Sequence, residues 1–183
     1  MNRQVIQAET ITLIEEWAHA RNIINGADAK SQFFKLTSEL GEWADGVTLD
    51  NRHEVLDGIG DALVVCTIIA RQLGTDLVSA YEATVGVSAA NNDLGIFVIL
   101  GRLSDSLVKD QTAKSIELVG ALALALTRAA KRHNLDVNTC LEQAYNDIKD
   151  RKGLMYNGVF VKSTDPRHDE ILAELEFQNR PKQ

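Results

Sequence analysis

Apolar residues recur at intervals of three and four over most of the chain, and two such stripes follow one another between residues 29 and 73. The first stripe consists of Phe33, Leu36, Leu40, Trp43 and Val47, and the second of Val55, Ile59, Ala62, Cys66 and Ile69. This spacing places each set on one face of an α-helix. Gly74 follows the second stripe, at a position where glycine commonly ends a helix. The stripes therefore predict two consecutive amphipathic helices, over 29–47 and 51–73.

The same periodicity predicts further helices, over 5–21, 77–85, 93–108, 113–133 and 137–150. The pattern ends near residue 153, and Asn157-Gly158 predicts a turn followed by a short extended segment. Asp165 and Pro166 are residue types favoured at a helix start, so we expect a last helix from there to about residue 177. The predicted fold is all-α, a helical bundle built on a four-helix core.

The composition suits packed helices, with 45% hydrophobic residues, 5% aromatic residues and two prolines among 183 residues. A net charge of −7 argues against binding a nucleic-acid polymer, which requires clustered Lys and Arg. The apolar runs are far shorter than the roughly 20 residues that cross a bilayer. No secretory signal is apparent, and Cys66 and Cys140 lack CxxC spacing and are expected to be buried thiols. These features predict a cytoplasmic protein with no membrane partner.

No linker or low-complexity segment divides the chain, so residues 1–183 are predicted to form one domain. Within it we expect a first helix pair over 28–74, a second over 91–150 and a C-terminal lid and tail over 151–183. A weak internal repeat relates residues 70–77 to 130–137 and residues 36–42 to 99–105. This alignment matches Glu39 with Arg102 and Asp61 with Ala121, so the second pair would lack the acids of the first.

Acidic residues are concentrated in the first helix pair. Glu39 and Glu42 share one helix face, and Glu54, Asp57 and Asp61 share another. Beyond Asp61 the same face becomes apolar, which indicates that these carboxylates point toward the core of the bundle. Five converging carboxylates without histidine would form an all-oxygen site suited to Mg²⁺ or Mn²⁺. The alternative is an ordinary solvated helix face.

The residues around these acids resemble the MazG-like all-α nucleoside triphosphate pyrophosphohydrolases, particularly the short versions common in bacteriophage genomes. The resemblance rests on Lys35-Leu-x-x-Glu39-Leu-Gly-Glu42, then Glu54-x-x-Asp57-Gly-Ile-Gly-Asp61-Ala-Leu-Val-Val, and Ala70-x-x-Leu73-Gly74. A further similar segment runs from residue 144 to 153 and continues at 157–162. The resemblance as a whole covers about residues 17–165.

The resemblance implies a Mg²⁺-dependent enzyme that converts an NTP or dNTP to the monophosphate and pyrophosphate, with Mn²⁺ as a substitute metal. Glu39 and Glu42 match the first metal-binding motif. Asp61 matches the aspartate of the second motif, whose glutamate is replaced by Gly58 here; Asp57 is the expected substitute, with Glu54 at the edge of the site. Water, activated by the metal, would attack the α-phosphate, and Glu39 is the predicted general base.

Four basic residues near the C-terminus are the predicted ligands of the phosphate tail: Lys149, Arg151, Lys152 and Lys162. An ordinary basic helix end is the alternative for each of them. Asn22 and Gln32 are predicted to contact the base and sugar. Members of the family usually pair, and the surfaces at Phe33-Phe34 and residues 120–126 exceed what one helix hairpin can bury, so we also expect a homo-oligomer, a dimer or a tetramer.

Three functions therefore stand as hypotheses. The first is a broad pyrophosphohydrolase, which in a phage-encoded protein would act in the host cytoplasm. The second is a dUTPase or dCTPase of narrow specificity, from the related dimeric all-α group. The third is a helical interaction module without enzymatic activity.

Overall fold

The computed structural model describes residues 5–84 and 92–178 and is 75% helical, which confirms the predicted all-α class. The helices are α1 (Ala8–Ala20), α2 (Ile23–Gly26), α3 (Ala29–Thr48), α4 (Arg52–Gln72), α5 (Leu77–Thr84), α6 (Leu94–Val108), α7 (Thr112–Arg132), α8 (Val137–Ile148) and α9 (His168–Gln178). A single hairpin of β1 (Gly153–Tyr156) and β2 (Val159–Lys162) lies between α8 and α9. One hydrophobic core joins helices α1 to α8.

Most predicted boundaries agree with these elements to within three residues. The short helix α2 was not predicted, and neither was strand β1, which precedes the predicted turn at Asn157-Gly158. The last helix begins at His168 rather than at Asp165 because Asp165 instead caps a turn, accepting from the backbone N–H of Arg167 at 2.9 Å. The predicted end of α5 at Val85 lies outside the described residues.

Helices α3 and α4 form the antiparallel pair that the two apolar stripes predict. Asp28 caps α3, accepting from the Ser31 backbone N–H at 2.7 Å, and Asn51 caps α4. The helices approach closely where Gly58 lies against Trp43, since a Cβ on Gly58 would be 2.7 Å from the Trp43 Cβ. This contact also explains why no glutamate stands at position 58, because a side chain there would collide with α3.

Helices α6, α7 and α8 repeat α3, α4 and α5 with an offset of 60 residues. The turns after α3 and α6 have the same hydrogen bonds: Asn51 N–H donates to Gly46 at 2.8 Å, and Gln111 N–H donates to Ser106 at 2.9 Å. Asp50 and its equivalent Asp110 both have a φ of 52°. The internal repeat is therefore present in the folded chain.

The predicted alignment of the first helices in the repeat was wrong by three residues. The turn geometry pairs Glu39 with Ile99 and Glu42 with Arg102, whereas the match of Asp61 with Ala121 agrees with the structure. Sequence similarity misled here because every third or fourth position of both helices is aliphatic. Glu39 and Ile99 are both buried, as the corrected alignment requires.

In each half of the repeat, the second helix packs against the third helix of the other half. A Cβ on Gly60 of α4 would collide with the carbonyl oxygen of Cys140 in α8, and a Cβ on Gly120 of α7 would collide with that of Ala80 in α5. These two contacts join equivalent positions, because Gly60 corresponds to Gly120 and Ala80 to Cys140. The core is thus approximately two-fold symmetric, with α4 and α7 at its centre.

The hairpin has two different faces. Met155 belongs to the main core, and Phe160 packs against that core. Leu154 and Val161 lie on the other face and form a small separate cluster with Ile171 of α9. Tyr156 also donates from its hydroxyl to Glu174 at 2.8 Å. The hairpin therefore joins the helical bundle to α9.

Residues 120–126 do not form the apolar surface on which the oligomer prediction partly relied. All of them are buried within this chain except Ala121, which is half-buried. Phe34 is 76% exposed. Cys66 and Cys140 are buried free thiols, as predicted, and burial raises the pKa of each to about 12.

No single helix in residues 5–84 and 92–178 is long and apolar enough to cross a membrane. Only α4 and α5 taken together reach that length and composition, and these two helices are bent by 100°.

Candidate functional site

A cavity of about 710 Å³ lies between the first helix pair and the C-terminal hairpin. Its apolar lining comes from α1, α2, α4, α8 and the hairpin: Trp17, Ile23, Val64, Val65, Ile68, Ile148, Met155 and Phe160. Its polar lining consists of Ser31, Gln32, Lys35, Glu39, Asp61, Arg151, Lys152 and Lys162. In a chain of net charge −7, four cations and two carboxylates line this cavity. The cavity therefore concentrates positive charge in an acidic protein.

Glu39 lies on the face of α3 that turns toward α4, and only 2% of the residue is exposed. Its carboxylate forms an ion pair with Lys35, one helical turn earlier. Burial of a carboxylate is costly unless it is paired, and Lys35 supplies that pairing from the solvent side. Glu39 thus places a carboxyl group that is paired with Lys35 inside the cavity.

Asp61 lies on α4 and is half-buried in the same cavity. Desolvation, and after it the neighbouring charges of Glu39 and Asp57, raise its pKa to about 7. Lys35 and Arg151 act in the opposite direction, but more weakly. Burial and the two neighbouring carboxylates therefore disfavour the charged form of Asp61, and a cation bound beside it would favour that form.

The other predicted acids lie at the margin. Glu42 is exposed, and its Oε1 is 3.5 Å from the Ser38 hydroxyl that donates to it. Glu54 is exposed in the first turn of α4, and neither it nor Glu42 lines the cavity. Asp57 is half-buried, outside the cavity lining but close enough to affect Asp61.

The prediction that all five carboxylates converge was therefore wrong. Glu42 is rotated about 60° from Glu39 around α3, and Glu54 lies about 10 Å along α4 from Asp61. Within the described ranges, no group of three or more His, Cys, Asp or Glu side chains is arranged to hold a metal ion by itself.

The remaining donors still fit Mg²⁺. This ion usually keeps several waters and binds one or two protein carboxylates together with substrate phosphates, rather than a complete protein cage. Glu39 and Asp61 offer oxygen ligands in one cavity, and burial together with the charges of Glu39 and Asp57 raises the pKa of Asp61. Glu39 and Asp61 are the residues that could hold the metal, and Asp57 adds to the local negative charge.

Three of the four predicted phosphate ligands line the cavity: Arg151, Lys152 and Lys162. They come from the loop after α8 and from the end of β2. Arg151 is close enough to Asp61 to lower its pKa. Lys149 does not line the cavity, and its Nζ donates to the Asn146 side chain at 2.7 Å. The structure thus brings the carboxylates and most of the predicted cations together.

The two residues predicted to contact base and sugar have different positions. Gln32 is 8% exposed and lines the cavity. Asn22 lies outside the lining, in the turn between α1 and α2 with a φ of 55°. Its side-chain amide donates to the Met155 carbonyl at 2.9 Å, so it holds the hairpin against the bundle.

Sequence reasoning missed several cavity residues, including Trp17, Met155 and Phe160. Trp17 and Met155 stand at the two ends of the chain, and no local pattern indicates that they meet. It also missed Arg21, whose side chain joins α1 to the segment after α8.

Comparisons with known proteins give one informative similarity. No family model matches the chain, and no solved structure matches it. A protein of Haemophilus phage HP1 (strain HP1c1), described as an uncharacterized 18.2 kDa protein in the rep-hol intergenic region, is 28% identical over 156 residues. The alignment covers 74% of this chain and 96% of the phage protein.

Proposed function

We propose that the protein is a Mg²⁺-dependent nucleoside triphosphate pyrophosphohydrolase that converts an NTP or dNTP to the monophosphate and pyrophosphate. The observation that carries this proposal is the lining of a single cavity. Two carboxylates from α3 and α4, three cations from residues 151–162 and an apolar wall lie together there. In a nucleoside triphosphate, the metal-bound phosphates match the carboxylates, the phosphate tail matches the cations and the base matches the apolar wall. The MazG-like motifs around Glu39 and Asp61 support the same activity.

The cations of the C-terminal segment bind the phosphate tail in this proposal. Arg151, Lys152 and Lys162 come from a loop and a strand end, so their side chains can reach one ligand from different directions. Hydrogen bonds from such cations to phosphate oxygens are about twice as strong as those between neutral groups. They also offset the repulsion that an acidic protein exerts on a polyanion.

Glu39 is the proposed general base. Its buried carboxylate would accept a proton from the water that attacks the α-phosphate, and Lys35 fixes the orientation of that carboxylate. Glu39 and Asp61 would hold Mg²⁺, whose positive charge would offset the phosphate charge and acidify the attacking water. Mn²⁺, which also prefers oxygen ligands, is expected to substitute.

The apolar wall would receive the base of the nucleotide. Trp17, Met155 and Phe160 offer flat or flexible apolar surface, which suits a planar heterocycle. Gln32 presents an amide that both donates and accepts hydrogen bonds at the edge of this wall.

A matched pair of variants in α3 tests the proposal. Glu39→Gln removes the proposed base and one metal ligand, so it should lower the rate of hydrolysis by at least about 100-fold. Asp45→Asn changes an exposed carboxylate on the same helix, outside the cavity lining, and should leave the rate within about twofold of wild type. Equal rates in wild type and Glu39→Gln would refute the role of Glu39.

The same assay, run over the eight common NTPs and dNTPs, separates the alternatives. Hydrolysis of dUTP or dCTP alone would favour the narrow-specificity enzyme. Calorimetry with Mg²⁺ and a non-hydrolysable dNTP addresses the third hypothesis, since a lack of any metal-dependent nucleotide binding would leave a helical interaction module.

The proposed cellular location follows from the proposed function of the protein. Its substrate and Mg²⁺ are available in the cytoplasm, and the similarity to a phage protein supports a host cytoplasm as the place of action. A homo-oligomer stays a prediction, which sedimentation analysis of the purified chain would test.

A further inference from the structure

We infer that Arg21 is a positioning residue that fastens the segment after α8, and with it the cavity cations Arg151 and Lys152, to the end of α1. The structural part of this inference stands on the contacts of Arg21. Its consequence for substrate binding rests on the proposed function.

The guanidinium of Arg21 donates to three backbone carbonyls. Its Nε donates to Arg151 at 2.6 Å, one terminal nitrogen donates to Lys149 at 3.0 Å and the other donates to Trp17 at 3.2 Å. Lys149 and Arg151 follow α1 by about 130 residues in the chain, so this side chain joins two distant segments. All three nitrogens of a half-buried guanidinium are therefore used by main-chain oxygens.

The positive charge of Arg21 lies at a favourable position, the C-terminal end of α8. The carbonyls of Lys149 and Arg151 lie at and just beyond the C-terminal end of α8, where unpaired carbonyls and the helix dipole attract a cation. Hydrogen bonds from a charged donor are stronger than neutral ones. Arg21 thus stabilises the backbone segment that carries the cavity cations Arg151 and Lys152.

Arg21 also holds one wall of the cavity. Its guanidinium carbon lies 5.1 Å from the centroid of the Trp17 ring, a cation–π distance, and Trp17 lines the cavity. The Arg21 carbonyl in turn accepts from the Met155 backbone N–H at 2.7 Å. One residue therefore contacts both the apolar wall and the basic segment.

Loss of the Arg21 side chain should loosen only the short segment from Lys149 to Lys152. The bonds from Met155 N–H to the Arg21 carbonyl and from Gly158 N–H to the Gly26 carbonyl use main-chain atoms and persist in Arg21→Ala. The segment from Lys149 to Lys152 would lose its two hydrogen bonds from Arg21, whereas the bond from the Ser163 N–H to the Lys152 carbonyl and the bonds of the hairpin would remain. Arg151 and Lys152 would then sample positions away from the cavity.

Arg52 provides a matched control. Its guanidinium donates to the carbonyls of His133 at 3.1 Å and Asn134 at 2.8 Å, just after the end of α7. It therefore makes the same kind of contact at the end of another helix, and it does not line the cavity.

The experiment compares native-state trypsin cleavage and amide hydrogen exchange in wild type, Arg21→Ala, Arg21→Lys and Arg52→Ala. We expect cleavage after Lys149, Arg151 or Lys152 to accelerate about fivefold or more in Arg21→Ala, with faster exchange confined to residues 149–153. Arg21→Lys, which keeps the charge but not the planar set of donors, should be intermediate. Arg52→Ala should leave this segment unchanged.

Unchanged cleavage in Arg21→Ala would overturn the inference, and so would an equal acceleration in Arg52→Ala, which would indicate general destabilisation. If Arg21→Ala does not fold, the comparison of Arg21→Lys with Arg52→Ala decides in the same way. These readouts do not depend on enzymatic activity.

Kinetics then tests the consequence for substrate binding. In Arg21→Ala, KM for the nucleotide should rise about tenfold while kcat stays within about threefold, because the base Glu39 is untouched and binding through Arg151 and Lys152 is weakened. A fall in kcat at unchanged KM would contradict the positioning role. A wild-type protein without hydrolytic activity would refute the proposed function but leave the cleavage result valid.

Discussion

The ionisation of Asp61 affects the stability of the protein. Its pKa is about 7 in the folded chain against 3.8 for an ordinary aspartate. The folded state therefore binds a proton more tightly than the unfolded state, and the free energy of unfolding should fall as pH rises from about 4 to 7 and stay level above.

We predict that Asp61→Asn removes this pH dependence. The variant should match wild type near pH 4 and exceed its stability at pH 8 by about 2 kcal/mol, half of the full value because the carboxyl is only half-buried. Urea unfolding at pH 4, 6 and 8 in the presence of EDTA measures the free energy of unfolding of wild type and variant. Asp45→Asn, at an exposed position, is the control, and parallel pH profiles of wild type and Asp61→Asn would count against this description of Asp61.

Added Mg²⁺ should stabilise the folded protein in a pH-dependent way. At pH 8 the carboxylates of Glu39 and Asp61 are available as ligands, and millimolar Mg²⁺ should raise Tm by about 2–5 °C. At pH 5.5 Asp61 holds a proton, so the shift should shrink. Differential scanning calorimetry at matched ionic strength measures both. The same shift at both pH values, or in a Glu39→Gln/Asp61→Asn double variant, would show that Mg²⁺ binds elsewhere.

The sequence predicted some site residues better than others. Glu39, Asp61 and Gln32 lie on long helices whose periodicity determines the direction of each side chain, and all three line the cavity. Lys149 and Asn22 lie at helix ends, where the chain direction depends on tertiary contacts, and both lie outside it. The role of Arg21 depends on residues 130 positions away, so no local pattern could indicate it.

At the level of the elements, the packing of α3 against α4 depends on a glycine that sequence analysis read only as a missing glutamate. We predict that Gly58→Ala destabilises the protein by about 1–3 kcal/mol, because the new Cβ would lie 2.7 Å from the Trp43 Cβ. Gly41→Ala is the matched control in α3, since nothing lies within 4 Å of its Cβ position.

The control should gain about 0.5–1 kcal/mol from the better helix propensity of alanine. Thermal unfolding of the two variants measures both effects. A Gly58→Ala protein as stable as wild type would mean that α3 and α4 are not so closely packed.

The helices could be predicted from sequence, but the hairpin only in part. The apolar stripes repeat over four or more turns, so chance variation at single positions does not hide them. Strand β1 is four residues long and is positioned by β2 and by the ends of α1 and α2, where Met155 N–H donates to Arg21 and Gly158 N–H donates to Gly26. Such contacts are invisible in a local pattern.

The whole molecule is a duplicated helix unit of which one half carries the candidate site. Positions 39, 42, 54 and 61 of the first half correspond to Ile99, Arg102, Lys114 and Ala121 in the second, so four of the five acids are absent there, whereas Asp57 corresponds to Glu117. The duplication gives a symmetric core, and the C-terminal hairpin closes the cavity on the first half. The fold class was predictable because it follows from repeated local patterns. The cavity was not, because it forms between segments far apart in the chain.

The most direct test of the central claim is identification of the products formed from a nucleoside triphosphate in the presence of Mg²⁺. Wild-type protein, Glu39→Gln and Asp45→Asn would each be incubated with the eight common NTPs and dNTPs, and the products separated by ion-exchange chromatography. We predict equal amounts of monophosphate and pyrophosphate from wild type and Asp45→Asn, and almost none from Glu39→Gln. Formation of diphosphate and orthophosphate, or no turnover of any nucleotide by wild type, would contradict the claim.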